Sequence, residues 1–342
     1  MAAEMKSFFG QLGFCLAMLA ASLADATTLL PASPLPINSH PALTSASLLP
    51  STRPSRILTV QWIPKGFHAL RDISYVAGGG RSRTLDLYLP DVRTAPRPVM
   101  VWIHGGGWRS GDKSAPPGLA MLTRGYIVAS INYRLSSDAV FPAQIFDCKA
   151  AIRFLRFHAR DFGISPDRIG VWGDSAGGQL AALLGTTNGC REYEGTEGVI
   201  GPSSNVQAVC DWFGPSDFQA TEDWNGPGAS AVNLLFGGNL PTQSRIARFA
   251  SPADQVGKGL LVPFLIMHGN HDPLVPLHQS QELYQRLAAA GAKVRFVIIP
   301  NGGHGYGWFR NRDDLSMVYD FFDRSLARPQ VRMSAPASRP SL

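Results

Sequence analysis

The sequence predicts an α/β fold: a mostly parallel central sheet flanked by helices. Three observations predict it. Short continuous apolar runs, the mark of strands buried on both faces, recur along the chain. Between them lie segments with apolar residues at three- and four-residue intervals, the period of a helix packed on a sheet. Several runs end in clusters of glycine, where a strand turns sharply into the next element.

Size and composition agree. Of 342 residues, 45% are hydrophobic and 16% charged, enough for a large core and too little charge for disorder over most of the length. One catalytic-size domain is expected at 67–328. The formal charge of +6 is spread over isolated arginines with no Lys/Arg block, so nucleic acid is not an expected partner. No internal repeat occurs.

At the N-terminus, Lys6 precedes an apolar stretch from Phe8 to Leu23, and Ala24-Asp25-Ala26 forms a small-residue cleavage pattern before Thr27. Residues 1–26 therefore read as a signal peptide, and the protein as secreted or periplasmic without stable membrane insertion after cleavage. An uncleaved anchor is the competing reading. Against it, the run is short, carries Gln11 and lacks a basic stop-transfer flank. Bulky Phe14 before Cys15 argues against lipidation. Residues 27–66 form a Pro/Ser-rich linker, and 329–342 a Pro/Ser/Arg-rich tail expected to be disordered. Removing Cys15 leaves Cys148, Cys190 and Cys210, an odd number. Cys190 and Cys210 flank a loop rich in Gly, Ser and Glu and are the expected disulfide in an oxidising compartment. Cys148 lies in a helical pattern and reads as a small buried residue.

In chain order, Asp72-Ile73-Ser74-Tyr75-Val76 and Thr84-Leu85-Asp86-Leu87-Tyr88-Leu89 alternate around Gly78-Gly79-Gly80, predicting an antiparallel hairpin. Val99-Met100-Val101-Trp102-Ile103 is a buried strand running into His104-Gly105-Gly106-Gly107-Trp108. Residues 126–131 supply another strand, and 142–162 an amphipathic helix with Ile145, Phe146, Ala150, Ile152, Phe154 and Leu155 on its period. Strands follow at 169–172, 206–213, 262–267 and 294–299, with helices at about Leu180, at 279–290 and at 315–326. The stretch 216–259 breaks the alternation. It reads as a long loop that covers a site or, alternatively, as a surface insertion.

The chemistry centres on Gly173-Asp174-Ser175-Ala176-Gly177-Gly178, between a strand and a helix. Such a turn lifts a serine hydroxyl clear of the sheet only when its neighbours are small. Ser175 is the candidate nucleophile. A serine needs a general base and a group that orients it. Asp272, in His268-Gly269-Asn270-His271-Asp272, and His304, in Asn301-Gly302-Gly303-His304-Gly305, each follow a predicted strand, in the chain order serine, acid, histidine. Asp254 and Asp217 are alternative carboxylates. A metal site from His268, His271 and His304 would lack a helical H-x-x-x-H pair, and no C-x-x-C occurs, so no metal or other cofactor is expected. The amides of the His104–Trp108 glycine run and of Ala176 can turn toward one point and receive an oxyanion. A plain glycine-rich turn, like Gly78-Gly79-Gly80, is the alternative.

These residues resemble the α/β-hydrolase superfamily, in the esterase/lipase branch with an HGGGW loop and a GDSAGG elbow. The resemblance covers about 74–326. Asn132-Tyr133-Arg134-Leu135, Asp211-Trp212-Phe213-Gly214-Pro215-Ser216-Asp217-Phe218 and Pro263-Phe264-Leu265-Ile266-Met267-His268-Gly269 look most like bacterial bifunctional acetyl-xylan/feruloyl esterase domains. The resemblance implies an α/β-hydrolase fold with Ser175 as nucleophile, Asp272 as acid and His304 as base. It implies the amides of Gly106, Gly107 and Ala176 as oxyanion donors, with Trp108 as an alternative to one glycine. The implied activity is hydrolysis of carboxylic esters through an acyl-enzyme, on small-molecule or carbohydrate-linked (acetyl or feruloyl) esters. An amide hydrolase and a non-catalytic binding protein of the same fold are the alternatives. Hormone-sensitive-lipase-like enzymes carry N-terminal cap helices, whereas 27–56 is broken by prolines, so no thick lid is expected. Trp108, Trp212 and Trp224 are candidates for lining an open site, against a packing role for each.

Overall fold

The computed structural model describes residues 62–239, 245–309 and 311–327, all within one unit spanning Thr44–Leu342. The expected signal peptide, most of the linker and the tail lie outside the described residues. Among the described residues, β1 (Phe67–Ser74), β2 (Thr84–Pro90), β3 (Arg97–Ile103), β4 (Ile127–Ile131), β5 (Ile164–Asp174), β6 (Ala208–Trp212), β7 (Phe264–Gly269) and β8 (Val294–Ile299) form one sheet. Its order is β1-β2-β4-β3-β5-β6-β7-β8. β2 pairs antiparallel with both β1 and β4, and every other pairing is parallel. The N-terminal hairpin thus stands at one edge of an otherwise parallel sheet.

Helices α1 (Ala143–Phe157), α2 (Ala159–Phe162), α3 (Ala176–Thr186), α4 (Ala229–Phe236), α5 (Arg245–Ala250), α6 (Pro252–Gln255), α7 (Leu277–Ala289) and α8 (Arg312–Ser325) complete the pattern. The central strands are covered on both faces. On β3, Val99, Val101 and Ile103 point into one core with Ile145 and Ile152 of α1, Leu180 and Leu183 of α3, and Leu283 of α7. Met100 and Trp102 point into the other, with Val318 and Phe322 of α8. Each such side chain, fully buried, contributes roughly 1.5–3 kcal/mol of transfer free energy. This two-sided burial is why the strands read as unbroken apolar runs.

Two expectations are corrected here. The stretch 216–259 contains α4, α5 and α6, held down by buried Val232, Leu235, Ala247, Ala250 and Ala253. Its glycines and prolines leave room only for short helices, which carry little periodicity to read. Cys190 and Cys210 are free thiols, as is Cys148. Cys210 on β6 faces the α8 side of the sheet, while Cys190 packs against the core on the opposite side, so the sheet itself separates the two sulfurs.

Candidate active site

The site forms where β5 ends and α3 begins. Ser175 sits between them in a strained conformation, φ 52° and ψ −118°. A Cβ on Gly173 would lie 2.1 Å from the Gly177 carbonyl oxygen, and one on Gly177 2.0 Å from that of Ile103. The turn closes only with glycine at both positions. The Ser175 amide donates to the Trp212 carbonyl at 2.8 Å, tying the turn to β6.

His304 and Asp272 arrive on the loops after β8 and β7. These loops touch through glycine: a Cβ on Gly269 would meet the Gly302 carbonyl at 2.3 Å, and the His271 amide donates to that carbonyl at 2.8 Å. His304 Nε2 then lies 2.9 Å from Ser175 Oγ, and its Nδ1 2.7 Å from Asp272 Oδ2. The other Asp272 oxygen accepts the amides of Leu274 at 2.8 Å and Val275 at 2.9 Å. His268, buried, brings its Nε2 within 3.2 Å of Asp272 Oδ2 and 2.9 Å of the Val275 carbonyl. Facing two acceptors, that nitrogen carries the proton, and Nδ1 accepts from Ser280 Oγ at 2.7 Å. Burial alone would raise the Asp272 pKa. Hydrogen bonds from His268, His304 and Val275, with the attraction of the His304 charge, outweigh it and hold the carboxyl well below the usual carboxylate range. The alternative carboxylates point elsewhere: Asp217 accepts the Gln219 amide, and Asp254 pairs with Arg286.

The glycine run after β3 forms the facing wall. Gly106, Gly107 and Trp108 all have positive φ, at 108°, 60° and 54°. The Gly106 carbonyl turns away to accept the amides of Arg109 and Ser110 at 3.2 and 3.1 Å. Among the described residues, the amides of Gly106, Gly107, Trp108 and Ala176 have no protein acceptor, and Ala176 opens α3, where such amides are free. The run is braced from behind. Tyr133 stacks on His104 at 4.5 Å and donates its hydroxyl to the His104 carbonyl at 2.9 Å. At its far end Trp108 Nε1 donates to Gln179 Oε1 at 3.0 Å.

Three further residues take part, of which His268 figured in the sequence only as a conceivable metal ligand. Asp174 accepts the Gly105 amide at 2.7 Å, and burial pushes its carboxyl up to about 6, against the pull of that amide and of His304. Phe213, at φ 44°, sets its ring edge-on to His304 at 4.7 Å between centroids. His268 supports Asp272 from below. Their signals were adjacency to Ser175, to the β6 terminus and to the acid turn.

Ser175 and His304 open into a cavity of about 360 Å³, walled by Trp108, Phe213, Trp224, Ala231 and Val232. Two of the three candidate tryptophans, Trp108 and Trp224, line it. Trp212 does not: it is fully buried on the α8 side, edge-on to Trp172 at 4.8 Å, with Nε1 3.2 Å from Met267 Sδ.

A family model, BD-FAE, matches residues 85–287. The chain belongs to the BD-FAE family. Esterase LipC of Mycobacterium tuberculosis is 31% identical to it over 271 residues, 73% of this chain and 66% of LipC. The chain spans between 56% and 66% of the lengths of LipC and two further curated mycobacterial relatives, named as esterases or probable carboxylic ester hydrolases. Among solved structures, a truncated form of a carbohydrate esterase from gut microbiota superposes with a TM-score of 0.71 at 33% identity, over 76% of this BD-FAE chain and 97% of that one. A bifunctional GH43-CE protein of Bacteroides eggerthii gives a TM-score of 0.70 at 36% identity, over 75% and 38%. The BD-FAE chain thus has the α/β-hydrolase fold of esterases.

Proposed function

We propose that the protein is an exported serine esterase that hydrolyses short-chain or carbohydrate-linked esters through an acyl-enzyme. The hydrogen-bonded chain Ser175 Oγ to His304 Nε2 and His304 Nδ1 to Asp272, 2.9 and 2.7 Å long, carries this reading. His304 takes the Ser175 proton as Oγ attacks the ester carbonyl carbon. The oxygen, now an oxyanion, is received by the free amides of Gly106, Gly107 and Ala176, each such donor contributing about 2.7–4 kcal/mol to the transition state. Collapse breaks the bond to the alcohol, which leaves with the proton from His304. Water, deprotonated by the same imidazole, then releases the acid and restores Ser175. Asp272, kept anionic, holds the ring in one tautomer and stabilises the imidazolium.

Acetyl or feruloyl groups on carbohydrate are the favoured substrates. This is supported by the carbohydrate esterases among the solved structures and by a cavity whose 360 Å³ is near the small end for ligand sites. Export is supported by Lys6, the apolar stretch after it and Ala24-Asp25-Ala26. The test is turnover of 4-nitrophenyl acetate and of acetylated and feruloylated xylan fragments by wild type and Ser175→Ala. Loss of turnover in the variant with unchanged folding is expected; retained turnover overturns the reading.

A further inference from the structure

Arg109 follows the glycine run and lines the same cavity as Ser175 and His304. Its Nη1 donates to Ser230 Oγ, near the start of α4, at 2.8 Å. Its Nε stands 3.9 Å from where a Cβ on Gly107 would be. The guanidinium is thereby held beside the Gly107 peptide, at the edge of the space a substrate carbonyl would enter. Ser230 engages one of its five N–H donors, and among the described residues no carboxylate pairs with it.

The other charges near the serine are already engaged. Asp272 is closed off from solvent, with its two oxygens shared among His268, His304, Leu274 and Val275. Asp174, which lines the same cavity, accepts the Gly105 amide through Oδ1. The exposed Arg109 guanidinium on the cavity wall thus has no ion-pair partner among the described residues and keeps its other N–H donors beyond the one given to Ser230. A carboxylate matches that fork in shape and charge, two oxygens to two N–H groups. A neutral ester would leave it to water.

We propose that Arg109 recognises a carboxylate on the substrate, so that the preferred esters carry a free carboxylate on their acyl or alcohol half. This rests on the esterase reading of the same site. Two matched pairs distinguish the halves: 4-nitrophenyl hydrogen adipate against 4-nitrophenyl hexanoate for the acyl side, and 4-acetoxybenzoate against 4-acetoxybenzamide for the alcohol side. For each pair the ratio of kcat/KM, anionic over neutral, is measured in the full-length wild type, Arg109→Gln and Arg109→Lys, with folding checked by circular dichroism. In at least one pair the ratio should fall about tenfold in Arg109→Gln, mainly through KM, with Arg109→Lys between. The wild-type ratio in that pair should also fall as salt is raised. A ratio unchanged in both pairs, or an equal loss on anionic and neutral members, would make Arg109 only a latch to Ser230 and overturn the assignment. Hydrolysis of the neutral esters would then still stand as esterase activity; no hydrolysis of any of the four esters by wild type overturns the esterase reading and this assignment with it.

Discussion

The Asp174 carboxylate, one residue before Ser175, holds the Gly105 amide at 2.7 Å across 69 residues of chain. The contact is tight: a Cβ on Gly105 would lie 2.8 Å from Asp174 Oδ2 and from its carbonyl oxygen. Elbow and glycine run are therefore one construction, and the spacing between Ser175 and the Gly106 and Gly107 amides depends on it. Asp174→Ala removes the clamp and should lower kcat about tenfold or more while moving KM less. Steady-state kinetics on an acetyl ester would show it, and an unchanged kcat would mean that Tyr133 and Gln179 suffice to hold the run.

The same residue makes stability depend on pH. Burial raises the Asp174 pKa to about 6, so the folded protein holds this proton more tightly than the unfolded chain does. The stabilising contribution is full below about pH 4, the unfolded value, and is lost as pH rises through about 6. Asp174→Asn cannot ionise yet keeps an oxygen for Gly105. Its melting temperature should match wild type near about pH 4 and exceed it near about pH 8. Melting curves at both pH values decide this, and a variant less stable at the higher pH would contradict it.

Asp272 behaves oppositely. Its donors keep the carboxyl below the usual range despite burial, so its contribution is present above about pH 4 and is lost as pH falls through the lower folded value. Asp272→Asn should therefore be less stable than wild type at neutral pH, with the gap closing in acid. Its kcat should drop by roughly three to four orders of magnitude, because an amide in place of Oδ2 disfavours the productive His304 tautomer. Near-normal kcat in a folded Asp272→Asn protein would remove Asp272 from the mechanism.

The free thiols give a chemical check. Cys148 and Cys210 are fully buried and Cys190 is half-buried; burial raises all three thiols. A reductant should leave the melting temperature unchanged. Of these three, Cys190 should be the first to react with a thiol reagent in the folded protein. A melting temperature that falls on reduction would restore the Cys190 to Cys210 disulfide.

Why some of this was legible in the sequence and some not follows from where the information lies. An apolar run bounded by glycine specifies a buried strand and its end, so the sheet, the serine turn and the His304 loop could be placed. A strand buried on both faces has no polar side, so nothing local says which face a residue takes. Cys210 and Trp212 both point to the α8 side, the choice that undid the disulfide and moved Trp212 from the cavity. Contacts over long separations, Asp174 with Gly105 or Phe213 with His304, leave no local periodicity. Glycine and proline in 216–259 hid three short helices for the reason that keeps them short: few residues, little amphipathic repeat.

Trp224 and Trp212 turn that distinction into a test of what limits acyl length. Trp224 is on the cavity wall, its ring packed on Phe218 at 5.4 Å and its Nε1 donating to the Asp217 carbonyl at 3.2 Å. Trp212 lies on the other face, among Trp102, Trp172 and Phe309. Shortening either should destabilise, a buried tryptophan truncated to alanine costing about 3–5 kcal/mol, so leucine is the better replacement. Room opened by Trp224→Leu is room for substrate, and the ratio of kcat/KM for octanoyl over acetyl 4-nitrophenyl esters should rise roughly tenfold, the effect of one or two methylenes gaining a pocket. Room opened by Trp212→Leu lies beneath the sheet and should leave that ratio unchanged while lowering the melting temperature. Equal shifts in the two variants would mean that chain length is sensed through general loosening of the sheet, and the cavity described around Ser175 would not be where the acyl chain lies.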